Sequence, residues 1–209
     1  MNNKEYLKII NVEFMHGVEE PWCSNQGVAI LPYVLKDNEY HYLLTKEYNP
    51  LFKNKQISKY STITGGLENN NHYQTVINEM LEETGIDVRN KKVRIDYLGK
   101  HYANKSSTKL WFFYGIDLTK LNLDLTATYK GTGDNTIGEK EISATFVSHK
   151  MLNKSNDALS LATYGKLNLK NLISFDNNIN QKLDMILQIL NEQKIIVINL
   201  TKYLEKSRG

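Results

Sequence analysis

Residues 65–86 constrain this chain more than any other stretch. Gly65-Gly66-Leu67-Glu68 closes a strand-like run, and a helical pattern follows from about Asn71 to Thr84. Within it Tyr73, Val76, Ile77, Met80 and Leu81 recur at helical spacing, and Gly85 stands where a helix-ending glycine belongs. At about 100° per residue, Glu79, Glu82 and Glu83 share roughly a third of the helix circumference. Val76, Ile77, Met80 and Leu81 take the opposite side. One face of this helix is core and the other is a carboxylate cluster.

That cluster is locally unfavourable. Like charges at i, i+3 and i+4 repel by roughly 0.2–0.5 kcal/mol per pair. Carboxylates in the last turns of a helix also oppose its dipole, at about 0.3–1 kcal/mol each. Asp87 adds to the field, and no lysine or arginine lies at i±4 of the cluster. Hard divalent cations reverse the sign of these terms, because they prefer carboxylate oxygens. The Gly65-Gly66 pair allows close backbone approach, so its carbonyls and amides can join a metal or phosphate shell.

The rest of the chain reads as strands alternating with helices, an α/β layered domain. Residues 27–35 and 40–45 form a hairpin pattern around the turn 36–39. A strand is expected at 57–64, ended by Gly65-Gly66. Further strands are expected at 93–97, 110–116 and 143–147, and a helix near 157–173. Residues 118–141 read as irregular. From about Ile179 to Lys206 the pattern is a long helix, with Leu183, Leu190, Val197 and Leu204 seven apart and Ile186 and Leu200 on companion positions. The expected organisation is an N-terminal extension over 1–25, a domain over 26–175 and a C-terminal helix over 176–209. The heptad seam either packs back on the domain or pairs with another copy. Pairing into a homo-oligomer is slightly favoured.

Composition narrows the function. The 26 basic and 23 acidic residues leave a net charge of +3, too balanced to argue for a nucleic-acid partner. The single cysteine, Cys23, rules out an intramolecular disulfide or a cysteine-built zinc site. No apolar run approaches the length of a membrane span, and the first residues lack a signal-peptide core. The expectation is a cytoplasmic protein with no membrane partner.

Gly65-Gly66 followed by Glu79-Met80-Leu81-Glu82-Glu83-Thr84-Gly85-Ile86 resembles the Nudix box of the Nudix hydrolases. The resemblance implies an α/β/α sandwich with a mixed β-sheet. It implies Mg²⁺- or Mn²⁺-dependent hydrolysis of a small-molecule nucleotide, a nucleoside diphosphate linked to another moiety. It makes Glu82 and Glu83 metal ligands, Glu79 a ligand or an aid to the base, and the Gly65 carbonyl part of the shell. Residues 138–148 resemble the acidic loop and strand of ADP-ribose pyrophosphatase-type members, which makes Glu139 and Glu141 the candidate general bases or extra ligands and ADP-ribose or a nucleotide sugar the preferred substrate.

The box departs from the family pattern in three ways. The family's arginine is Asn78, its first glutamate is Asn70 (Glu68 lies two residues earlier), and the loop is two residues shorter. These departures motivate an alternative, a catalytically degenerate Nudix domain serving as a nucleotide-binding or structural module. Among the remaining residues, Tyr102 is expected to pack on its strand rather than stack on a base. His72 and His101 are expected at the surface, Cys23 as a spectator, and Trp22 either over a nucleobase or in a corner.

Overall fold

The computed structural model describes residues 6–46, 60–67, 69–89, 92–103, 106–133, 142–155 and 157–171. The chain divides into two units, 1–167 and 168–209, and the fold described below is that of the first. The expected C-terminal helix and its heptad seam lie outside the described residues, as do Glu68, Glu139 and Glu141.

The strands are β1 (Lys8–Val12), β2 (Met15–Glu19), β3 (Gln26–Lys36), β4 (Glu39–Lys46), β5 (Ile63–Gly66), β6 (Arg94–Tyr102), β7 (Leu110–Asp117), β8 (Thr128–Lys130) and β9 (Ser143–Ser148). The helices are α1 (His72–Thr84), the short α2 (His149–Leu152) and α3 (158–171). Seven strands form one sheet in the order β6-β7-β3-β4-β9-β8, with β5 added against β3. β3 runs parallel to β7 and antiparallel to β4 and β5, so the sheet is mixed.

β3 is the spine, and its sequence explains why. Residues 27–34 are all buried, a near-continuous apolar run suited to a strand covered on both faces. Val28, Ile30 and Val34 join Leu43, Ile63, Val76 and Met80 in the core beneath α1. Leu31 and Tyr33 point the other way and pack with Tyr42, Leu44, Leu152 and Leu167. The period-2 alternation of the strand thus feeds two cores, one on each side of the sheet. This is the α/β/α sandwich. The β3–β4 hairpin turns through Asp37 and Asn38, whose φ values of 52° and 64° match the left-handed pair of a type I′ turn.

Several expectations are corrected. The glycine pair does not break its strand: Gly65 and Gly66 are the last two residues of β5, paired with Val28 and Gly27. Of the expected 57–64 strand, 57–59 lie outside the described residues, and the observed strand begins at Ile63. The N-terminal extension contains a two-stranded hairpin, β1–β2, whose high exposure left no alternating burial signal to read. The stretch 118–141 includes the short strand β8. On α1, Tyr73 is half exposed rather than buried, because it stands in the first turn beyond the edge of the core.

Candidate functional site

α1 starts and stops as its sequence dictates. The Asn71 side chain caps it by accepting the Gln74 N–H at 3.1 Å. Gly85, at φ 71°, ends it and donates its N–H to the Leu81 carbonyl at 2.9 Å. Val76, Met80 and Thr84 are buried, which turns Glu79, Glu82 and Glu83 outward, each half-buried. No basic residue occupies the last turn. Asp87 does not add a free charge: Arg89 binds it at 2.6 Å and holds its carboxyl down at about 2.

Gly65 of β5 lies directly against Glu79 of α1. A Cβ on Gly65 would overlap the Oε1, Cδ and Cγ of Glu79. The glutamate side chain therefore lies in the space that a glycine alone leaves open, flat against the β5 backbone. Two-residue neighbours complete the arrangement. Gly66 is covered by Trp22, whose ring fills the position of its missing Cβ. Gly27, on the adjoining strand, faces Lys109 Cε at 2.7 Å and the Gly65 carbonyl at 2.9 Å from where its own Cβ would be.

Two features escaped the sequence reading. The first is Gly131-Thr132-Gly133. A Cβ on Gly131 would overlap the Glu82 carbonyl, and the Gly133 N–H donates to that carbonyl at 3.0 Å. This loop docks on the C-terminal end of α1 and satisfies an acceptor that the helix leaves unpaired. The signal was the Gly-x-Gly spacing in an otherwise polar stretch. The second is Lys109, which is 6% exposed. It reaches Glu20 at 2.7 Å and lies over the rings of Trp111 (4.5 Å) and Trp22 (5.6 Å). Together these contacts fasten the segment before β3 over the Gly65-Gly66 strand. Nothing in a lone lysine between Thr108 and Leu110 announces that role.

The other single residues resolve as follows. Trp22 fills the corner against Gly66. Tyr102 does not pack on its strand: it is 64% exposed at the end of β6. His72 is not a surface residue. It stacks on Phe112 at 4.4 Å and its Nδ1 hydrogen-bonds the Tyr114 hydroxyl. His101 is exposed, as expected. Cys23 is fully buried, and burial pushes its thiol pKa up. Asn78, which the resemblance sets against the family's arginine, is exposed and accepts a hydrogen bond from Gln74 at 2.9 Å.

The donor set suits a hard cation. It consists of carboxylate and carbonyl oxygens on one half-buried face, and the Gly65 cradle brings one carboxylate against backbone. Among the described residues no three His, Cys, Asp or Glu side chains already stand as a closed metal-holding group. Glu82 and Glu83 follow Glu79 by three and four residues, so each Cβ lies about 5–6 Å from that of Glu79.

No protein-family model matches the sequence, and no curated protein matches it. Solved structures do. The Nudix domain of NrtR from Shewanella oneidensis, complexed with ADP ribose, aligns at a TM-score of 0.50 with 12% identity, over 69% of this chain and 86% of that one. An ADP compounds hydrolase aligns at 0.49 with 12% identity, over 78% and 89%. A Nudix hydrolase structure from Listeria monocytogenes aligns at 0.44 with 18% identity, over 69% and 94%. The layering of the sheet and the placement of α1 define a Nudix fold. This chain has that fold. Among the described residues no helix is long and apolar enough to cross a membrane.

Proposed function

We propose that this chain is a metal-dependent pyrophosphohydrolase of the Nudix type. Its substrate is a nucleoside diphosphate linked to another moiety, with ADP-ribose or a nucleotide sugar preferred. The observation that carries this reading is the close seating of Glu79 against Gly65 at the foot of the acidic face. The substrate preference draws support from the resemblance of residues 138–148 and from the ADP ribose held by the NrtR domain.

Glu82, Glu83, Glu79 and the Gly65 carbonyl would hold Mg²⁺ or Mn²⁺. Bound there, such an ion would acidify a water and offset negative charge on a P–O–P bridge. The chain's own contribution is orientation. Gly65 fixes the Glu79 side chain, and Gly131 and Gly133 hold the helix end that carries Glu82. Glu139 and Glu141, outside the described residues, are the candidates to accept the proton of the attacking water, on the resemblance of residues 138–148 alone. Glu20 and Lys109 neutralise each other, so the wall beside Gly65 adds no net charge to compete for the phosphates.

The test is release of AMP or phosphate from a nucleotide panel with Mg²⁺ or Mn²⁺. Glu83→Gln lowers the rate by about 10²–10³-fold with an unchanged circular dichroism spectrum. Release unaffected by that substitution defeats the assignment.

One observation favours the second reading, a degenerate nucleotide-binding module. Asn78 is bonded to Gln74 and turned to solvent, so it clamps none of the helical carboxylates. In that case nucleotide binds without turnover at any metal concentration.

A further inference from the structure

A cavity of about 340 Å³ lies on the sheet face opposite α1, between the ends of β6 and β7 and the first turns of α3. That volume is at the small end of ligand pockets. Ala158, Ala162 and Lys166 are spaced by four along α3, so one stripe of the helix faces the cavity. The two alanines leave room that larger side chains would fill. Phe113 of β7 lines the cavity, and His101 and the exposed ring of Tyr102 stand at its edge.

Charge and packing here are one-sided. The Lys166 ammonium lies 5.2 Å from the Phe113 ring centroid and makes no ion pair among the described residues. Partial burial pulls its pKa below the usual lysine value. Among the described residues no acidic side chain lines the cavity. The amides at the start of α3 are already taken, since Asp157 accepts the N–H of Leu159 at 3.3 Å and of Ser160 at 2.9 Å. The one fully cationic side chain on the described lining is Lys166, with the His101 ring at the edge as a second donor. The aromatic and small apolar lining suits a flat ring.

We propose that this cavity is a second ligand site, which takes a small aromatic anion with its ring on the Ala158–Ala162 stripe beside Tyr102 and its acid group at Lys166. The site shares no residue with the acidic face of α1, so it stands whether or not the chain is a hydrolase.

The experiment is ligand-observed NMR on the full chain, with benzoate, its neutral counterpart benzamide, and AMP as probes. Benzoate binds, and benzamide binds at least about tenfold more weakly, because a charge-assisted contact is lost. Lys166→Gln weakens benzoate by a similar factor, and Ala162→Leu abolishes binding by filling the slot, both with native circular dichroism. AMP binding with the same dependence on Lys166 extends the ligand to nucleotides; benzoate binding alone restricts it to single-ring acids. The proposal is overturned if neither anion binds by about 10 mM. It is also overturned if benzamide matches benzoate, or if Lys166→Gln leaves affinity unchanged.

Discussion

The Glu79 carboxylate occupies the space where Gly65 lacks a Cβ. This places a helical acid directly on the backbone of β5, and the two residues can be separated experimentally. A methyl at position 65 would meet the Glu79 side chain, Oε1 first, and push it off the β5 backbone. Gly65→Ala therefore lowers metal-dependent hydrolysis by about 10²-fold, the scale of a one-ångström misplacement, while the melting temperature moves by no more than about 2 °C. Calorimetry beside initial rates checks both parts.

Gly131→Ala behaves in the opposite manner. Its methyl would meet the Glu82 carbonyl and the Glu83 backbone, which cannot rotate away. The helix end and the β8 loop must move apart, which costs about 1–3 kcal/mol as an overpacking strain. Urea unfolding shows this as a lower midpoint.

Lys109→Met leaves the Glu20 carboxylate half-buried without its cation. The loss is about 2–4 kcal/mol, near the range for breaking a buried pair. Adding Glu20→Gln recovers part of it, because the stranded charge is then gone. A double-mutant cycle in urea measures the coupling.

Alkaline pH acts through the tyrosines. Burial raises the pKa of Tyr33, Tyr42, Tyr114 and Tyr129, with Tyr114 pushed up to about 12. A raised folded-state pKa means that the unfolded chain gives up its protons first. The stabilising contribution is complete below the unfolded value of about 10 and is lost as pH rises through the folded value. Absorbance at 295 nm should show these four tyrosines ionising only above the ordinary tyrosine range, with urea midpoints falling across that window.

Much of the fold was legible because periodicity reports burial. β3 is apolar on both faces and shows it as a continuous run, and α1 carries its cap, core stripe and terminal glycine in order. Gly65-Gly66 misled because glycine ends strands more often than it continues them. Here the missing Cβ atoms are required by Glu79 and Trp22, contacts that only the folded chain creates. The β1–β2 hairpin was invisible for a different reason: strands exposed on both sides carry no alternation. Within the site, the acidic face could be read from spacing alone. The Lys109–Glu20 pair and the Gly131–Glu82 contact join residues 89 and 49 positions apart, beyond any local pattern.

The most direct test of the acidic face is a calorimetric titration of Mn²⁺ into the protein and into a Glu82→Gln/Glu83→Gln variant. Saturable binding in the first, lost in the second without loss of helix, is the predicted result. Equal heats from both proteins, or none from either at millimolar Mn²⁺, would contradict a metal role for α1.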